Sequence, residues 1–172
     1  MITPFHPEGK VDFESIPTVV EHIISGNADY LVVLGTTAEG ACLSAKEKGQ
    51  VVQATLSANR NRLPMVIGIG GNNTAQLVAE IQETDLSAFG AILSVSPYYN
   101  KPTQEGIYHH YAELAKASPL PIIVYNVPSR TGSSVEASTF IRLAEDFENI
   151  IAIKDASGSM LQAQEIIKEA PS

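Results

Sequence analysis

Lys154 is the residue of this sequence best suited to covalent chemistry. It ends an apolar run at residues 150–153 and precedes Asp-Ala-Ser-Gly at residues 155–158. An amine at the end of a buried strand loses hydration, which favours the neutral form that attacks a ketone to give a Schiff base. A lysine in such a place can also extend its ammonium into solvent. From this segment alone, both interpretations stay open.

A second candidate site is the sequence Gly-Thr-Thr-Ala-Glu-Gly at residues 35–40, directly after an apolar run that ends at Leu34. Thr36 and Thr37 place two adjacent hydroxyls there, and the free backbone N–H groups of such a turn can hold a small carboxylate. The same residues fit an ordinary turn in which the hydroxyls bond their own backbone.

Three more candidates lie in two loops rich in proline. Residues 96–102 contain Tyr99, and residues 125–132 contain Tyr125 and Arg130. A tyrosine at a strand end can shuttle protons, and an arginine can clamp a carboxylate through two parallel hydrogen bonds. Each tyrosine by itself is more often a packed aromatic side chain. Their joint placement with Lys154 and the two threonines favours a catalytic site.

The elements that position these residues follow from five continuous apolar runs, spaced about 30 residues apart, close to the repeat of a (β/α)8 barrel. Continuous rather than alternating runs are typical of parallel strands buried on both faces. The runs are Tyr30–Leu34, Met65–Ile69, Ala91–Val95, Pro121–Val127 and Ile150–Lys154. The sequence therefore predicts an α/β fold, a (β/α)8 TIM barrel of which this chain supplies about the first six βα units.

Helix start signals separate the runs. Residues 44–47 and 133–136 have the spacing of a capping box, and Asp12 is a candidate cap for a helix reaching about Ser25. Thr103 and Asn73 are the expected caps of two further helices. Residues 1–172 are thus expected to form one partial catalytic barrel domain, without strands seven and eight and the C-terminal helical region.

Composition excludes several classes of protein. The chain is 44% hydrophobic and 17% charged, with 19 acidic against 11 basic residues, so neither disorder nor nucleic-acid binding is expected. A single cysteine, Cys42, rules out an internal disulfide and is expected to be buried. No apolar stretch approaches the roughly 20 residues of a membrane span, and no signal peptide is recognisable, so a cytoplasmic location is expected.

Four motifs carry a resemblance to a known family. They are Gly-Thr-Thr-x-Glu from residue 35, Tyr-Tyr-Asn-x-Pro from 98, Tyr-Asn-Val-Pro-Ser-Arg-Thr-Gly from 125 and Ile-Lys-x-Ala-Ser-Gly from 153. In this order and spacing they resemble the 4-hydroxy-tetrahydrodipicolinate synthase family over essentially the whole chain. The resemblance implies a Schiff-base lyase that condenses pyruvate with L-aspartate 4-semialdehyde in lysine and diaminopimelate biosynthesis.

The resemblance also implies a role for each candidate residue. Lys154 would form the imine with pyruvate, and Thr36 and Thr37 would hold the pyruvate carboxylate. Tyr125 would act as general acid and base. Thr37 would link Tyr125 to Tyr99 in a proton relay.

The remaining implications concern the second substrate and the assembly. Arg130 would anchor the carboxylate of the aldehyde. The family uses no metal and no organic cofactor, and it usually forms a homotetramer, a dimer of dimers in which Tyr99 reaches into the neighbouring subunit's site. Packing of Tyr99 within its own subunit is the alternative.

Other functions remain open at this point. N-acetylneuraminate lyase and keto-sugar-acid aldolases share the lysine and tyrosine, although Arg130 argues against them. A non-catalytic binding protein and a phosphate-binding barrel, with residues 68–73 holding the anion, are less consistent with the candidate residues. An inactive fragment of an aldolase is the last alternative, because a closed barrel needs all of its strands.

Overall fold

A computed structural model describes residues 1–171, in which helices and strands alternate. The strands are β1 (Leu31–Val33), β2 (Met65–Gly68), β3 (Ala91–Val95), β4 (Ile122–Asn126) and β5 (Ile150–Asp155). The helices are α1 (Ile16–Ser25), α2 (Ala45–Asn59), α3 (Thr74–Glu83), α4 (Gln104–Ala117), α5 (Pro128–Thr131), α6 (Ala137–Asp146) and α7 (Met160–Glu169). Two single 3-10 turns, Thr36–Ala38 and Gly40–Cys42, follow β1.

The chain divides into two compact units. The first comprises residues 1–68 and 87–90, and the second comprises residues 69–86 and those from 91 onward. In the first unit β1 pairs in parallel with β2, and α1 packs on α2. In the second unit β3, β4 and β5 pair in parallel in chain order, with α4 on α3 and α6 on α4, α7 and β5.

The five predicted strands are confirmed, and each observed boundary falls within one residue of its apolar run. The segment before α1 forms no named strand, only an isolated antiparallel bridge between Phe5 and Val11. Pro4 and Pro7 explain this, because proline has no N–H to donate to a strand ladder.

Three helix caps are also confirmed. Ser44 Oγ accepts from the Glu47 N–H at 3.3 Å while Ser44 N–H donates to Glu47 Oε2 at 2.9 Å, which completes the capping box of α2. Thr103 Oγ1 accepts from Gly106 N–H at 3.2 Å. Asn73 Oδ1 caps α3 in the same way, accepting from the Gln76 N–H at 3.2 Å, and residues 69–73 form the turn between β2 and α3.

Two expected caps differ from the prediction. The capping box at residues 133–136 is wrong: α6 begins only after Glu136, whose N–H donates to Gln104 Oε1 at 3.1 Å. Gln104 in α4 therefore accepts the hydrogen bond that Ser133 was predicted to accept. Asp12 accepts from the N–H groups of Glu14 and Ser15, so it stabilises the turn that leads into α1, with Ser15 at the N-cap position.

Burial follows the apolar runs except in β5. Ile92 in β3 and Ile122 in β4 are fully buried, whereas Ile151 in β5 is 57% exposed. The prediction that all strands are buried on both faces is therefore wrong for β5. Its pairing partner is β4, and no strand within residues 1–171 pairs with its other edge.

Two surface features complete the fold. Cys42 is exposed, contrary to expectation, because it ends the second 3-10 turn rather than a strand or a core helix. Across residues 1–171, no helix combines the length and the apolar character that crossing a membrane requires.

Candidate active site

The structure brings Tyr125 and Lys154 together. They are opposite each other in the parallel ladder of β4 and β5 and project from the same face. Lys154 Nζ lies 4.2 Å from the centroid of the Tyr125 ring, within the range of a cation–π contact. The nucleophile candidate and the acid–base candidate are therefore direct neighbours.

The surroundings of these two residues differ. Tyr125 is buried, with 6% of its surface exposed, whereas Lys154 is exposed. The expectation of a desolvated lysine is wrong for residues 1–171, because Lys154 is exposed there and no strand pairs with the outer edge of β5. Desolvation of this amine requires cover beyond what the described residues provide.

Hydrogen bonds between strands and from α4 order the backbone around Tyr125. Ser96 N–H donates to the Tyr125 carbonyl at 3.1 Å, and the Tyr111 hydroxyl in α4 donates to the Ser94 carbonyl at 2.9 Å. Tyr111 is fully buried, and this burial raises the pKa of its phenol far above the ordinary range. Tyr111 therefore stays a neutral donor that ties α4 to β3 beside Tyr125.

Asn126 is a buried polar residue of the site to which the sequence analysis assigned no role. Its Nδ2 donates to Asp155 Oδ1 at 2.9 Å, and its Oδ1 accepts from Val135 N–H at 2.9 Å. Its carbonyl also accepts from Ala156 N–H at 2.8 Å. In the sequence, Asn126 could have been recognised as an amide in an otherwise apolar strand, next to the candidate catalytic Tyr125.

Arg130 lies in the single-turn helix α5. Gly132 ends this helix with a φ of +76°, a left-handed conformation suited to glycine, and Thr131 Oγ1 donates to the Ser133 carbonyl at 2.7 Å. The Arg130 side chain is exposed, and within residues 1–171 its guanidinium has no ion-pair partner. A cation held on a short, ordered turn without a carboxylate partner is suited to binding an anion.

Tyr99 extends away from its own chain. It is 84% exposed, and its φ of 76° is uncommon for a residue other than glycine. Asn72 Nδ2 donates to the neighbouring Tyr98 carbonyl at 3.3 Å. The alternative that Tyr99 packs within its own subunit is thus not realised in the described residues.

Thr36 and Thr37 belong to the first compact unit, whereas the other candidates belong to the second. Both threonines are exposed in the first 3-10 turn after β1. A Cβ on Gly68 would lie 2.3 Å from the Leu34 carbonyl oxygen, so the absence of a side chain in β2 permits this close approach. Thr3 Oγ1 fastens the far end of the turn by donating to the Ala38 carbonyl at 2.7 Å.

Metal-binding side chains do not cluster in this part of the chain. Residues 1–171 contain no group of three or more histidine, cysteine, aspartate or glutamate side chains arranged to hold a metal ion. The independence from metals and organic cofactors stays a prediction.

Comparison with known proteins decides the family. The sequence matches the model of the dihydrodipicolinate synthetase family over residues 1–172. The chain belongs to this family. Curated relatives named 4-hydroxy-tetrahydrodipicolinate synthase include those of Flavobacterium psychrophilum, 52% identical over 171 residues, and Azobacteroides pseudotrichonymphae, 49% identical over 172 residues. The chain spans 58% of the length of each of these two relatives, and 99% and 100% of the chain is covered.

Solved structures of dihydrodipicolinate synthases share the fold of this family member. The Bacillus anthracis enzyme superposes with a TM-score of 0.93 at 38% identity, over 100% of this chain and 59% of that one. The Acinetobacter baumannii enzyme, described as chloride inhibited and complexed with pyruvate, gives 0.92 at 39% identity over 98% of this chain and 57% of that one. These likenesses confirm the predicted partial (β/α)8 barrel.

Proposed function

We propose that the protein acts as a 4-hydroxy-tetrahydrodipicolinate synthase, a lyase that condenses pyruvate with L-aspartate 4-semialdehyde in lysine and diaminopimelate biosynthesis. The observation that carries the proposal is the placement of Lys154 Nζ 4.2 Å from the Tyr125 ring on the adjacent strand. Membership of the dihydrodipicolinate synthetase family supports it.

The chemistry begins when the Lys154 amine adds to the ketone carbon of pyruvate. The resulting carbinolamine loses water and becomes an iminium, which is an electron sink. A methyl proton then leaves to give an enamine, whose carbon attacks the aldehyde of the second substrate. Each of these proton transfers needs a donor and acceptor within hydrogen-bond reach, and Tyr125 is the neighbouring group that can serve.

Each substrate carries a carboxylate, so two anion sites are required. Thr36 and Thr37 offer hydroxyls and the free N–H groups at the start of a helical turn for pyruvate. Arg130, exposed and without an ion-pair partner in residues 1–171, is assigned to the aldehyde substrate.

The proposed assembly is a homotetramer in which Tyr99 completes a neighbouring subunit's proton relay through Thr37. The exposure of 84% of the Tyr99 side chain supports a role outside its own chain. One solved relative is described as the first monomeric dihydrodipicolinate synthase variant. The proposed location is the cytoplasm.

The alternatives to this function are a related aldolase and an inactive fragment. Arg130 favours an aldehyde with a carboxylate over the polyhydroxy substrates of N-acetylneuraminate lyase and keto-sugar-acid aldolases. The exposure of Lys154 favours a different second candidate, namely that residues 1–172 by themselves are an inactive fragment. The Lys154 amine must be shielded from water by further protein before the reaction is efficient.

The test measures condensation with purified substrates. The 172-residue chain is compared with the same chain continued by the part of the Flavobacterium psychrophilum relative that lies beyond the matched residues. Pyruvate-dependent consumption of aspartate semialdehyde by the continued chain, abolished by Lys154→Ala, is the expected result. Cleavage of N-acetylneuraminate without condensation would assign the protein to the other aldolases.

A further inference from the structure

The pairing of β4 with β5 contains a β-bulge ahead of the candidate nucleophile. Ile122 lies opposite Ile150, but the next residue, Ile123, lies opposite Ala152. Ile151 is therefore an extra residue in β5. Bulges are rare between parallel strands, and they are over-represented next to active sites, where they re-aim side chains.

The bulge determines which face of the sheet carries Lys154. Without the extra residue, continued pairing from Ile122 would place Tyr125 opposite Ile153 and Lys154 opposite Asn126. Because successive side chains point to opposite faces, a slip of one residue moves Lys154 to the other face. The contact between the amine and the Tyr125 ring exists only in the bulged register.

A polar pair follows Tyr125 and Lys154 in the ladder. Asn126 lies opposite Asp155, and the two side chains are joined by the 2.9 Å bond from Asn126 Nδ2 to Asp155 Oδ1. Asp155 also accepts from the Ser157 N–H at 3.1 Å and from the Ser157 hydroxyl at 2.8 Å. A bond to a carboxylate is stronger than one between neutral groups. This pair can form only where Asn126 faces Asp155.

We propose that Asn126 and Asp155 are positioning residues that hold the bulged register of β5 and thereby direct Lys154 towards Tyr125. Asn126 is fully buried, and the other acceptors near its Nδ2, Ser134 Oγ at 3.3 Å and the Val135 carbonyl at 3.4 Å, are neutral and more distant than Asp155. The bond to the Asp155 carboxylate is therefore the strongest of the three. Neither residue is assigned a contact with substrate. The catalytic meaning of this inference rests on the proposed function, whereas the register itself does not.

The register is measured by cross-linking in a Cys42→Ser background. Val124→Cys combined with Ile153→Cys reports the bulged register, because these positions are opposite in it. Val124→Cys combined with Ala152→Cys reports the slipped register. In either register, the cysteine pair that does not face across the ladder points to opposite faces of the sheet, and cysteines whose Cβ vectors point apart cannot form a disulfide. The yields of the two disulfides are compared by intact mass after mild oxidation.

The variants are chosen to separate the Asn126–Asp155 bond from general damage. Asn126→Leu removes the bond, and the exchange Asn126→Asp with Asp155→Asn restores a donor and an acceptor in reversed order. Asn149→Leu is the matched control. Asn149 also uses its side-chain amide, donating to the Ala115 carbonyl at 2.8 Å, but it precedes the bulge.

Asn126→Leu is expected to lower the ratio of bulged to slipped disulfide about ten- to hundredfold, the effect of losing a hydrogen bond to a charged group. The reversed pair should restore most of the ratio, and Asn149→Leu should leave it unchanged. The rate of pyruvate trapping by borohydride at Lys154 should follow the ratio across the series.

An unchanged ratio in folded Asn126→Leu protein overturns the inference. If Asn126→Leu does not fold by circular dichroism, the reversed pair decides, and a ratio that stays low there also overturns it. A ratio that responds as expected, in a continued chain that never traps pyruvate, supports the positioning role and contradicts the proposed function instead.

Discussion

His110 is expected to make the stability of the second unit depend on pH. Its side chain in α4 is buried, with 3% of the residue exposed, and its Nδ1 lies 2.8 Å from Thr74 Oγ1 at the start of α3. Its Nε2 has no hydrogen-bond partner within residues 1–171. Burial lowers the pKa of His110 from 6.5 to about 4, because the charged imidazolium would be poorly hydrated there.

The sign of the effect follows from proton uptake. Between the folded pKa of about 4 and the unfolded value of 6.5, the unfolded chain binds a proton that the folded chain does not. Stability is therefore complete above the unfolded pKa and falls as the pH is lowered through this window. From pH 7 to pH 5 the loss is about 2 kcal/mol in the free energy of unfolding.

The assay is urea unfolding at pH 7 and pH 5 for three proteins. The wild type should lose stability as stated, and His110→Gln should lose much less. His109→Gln, which alters an exposed histidine 3.3 Å from Glu105, should behave like the wild type. Asp12 and Glu47 have lowered pKa values, so their carboxylates take up protons at more acidic pH and do not affect the comparison between pH 7 and pH 5. Equal losses of unfolding free energy in the wild type and His110→Gln would show that His110 does not cause the pH dependence.

Three further outcomes are expected. Gly68→Ala should destabilise the chain by about 1–3 kcal/mol in thermal unfolding, because its Cβ would overlap a backbone carbonyl. The control Gly49→Ala in α2 should not, because its Cβ meets no atom within 4 Å. Equal melting temperatures of the two variants would contradict the expected destabilisation by Gly68→Ala. Arg130→Ala should slow condensation on the order of a hundredfold while pyruvate trapping survives, and equal loss of both would contradict its assignment to the aldehyde. Mixed subunits of Tyr99→Phe and Lys154→Ala proteins should regain activity if Tyr99 acts in a neighbouring site, and verified hybrids without activity would exclude that arrangement.

The sequence predicts local structure where one interaction dominates. Predominantly apolar runs locate β3 and β4 within one residue, because parallel strands with both faces covered are rich in apolar side chains, with Ser94 and Asn126 as polar exceptions. The cap of α2 is predictable because its two partners, Ser44 and Glu47, are three residues apart in the sequence and bond to each other. The cap expected at residues 133–136 was wrong because a competitor, Gln104, is distant in sequence.

The geometry of the site depends on interactions that spacing does not encode. The sequence placed Lys154 at the end of a strand, but the extra residue Ile151 decides which face of the sheet it occupies. Its exposure depends on what pairs with the open edge of β5. The role of Asn126 becomes visible only when Asp155, 29 residues later, lies opposite it.

Reductive trapping of pyruvate shows whether Lys154 is the Schiff-base nucleophile. The 172-residue chain and its continued form are incubated with pyruvate and borohydride, digested, and mapped by mass spectrometry. One reduced adduct per chain is expected, at Lys154, stronger in the continued form and absent from Lys154→Ala. An adduct on another lysine, or no adduct in either form, would contradict the assignment of Lys154 as the Schiff-base nucleophile.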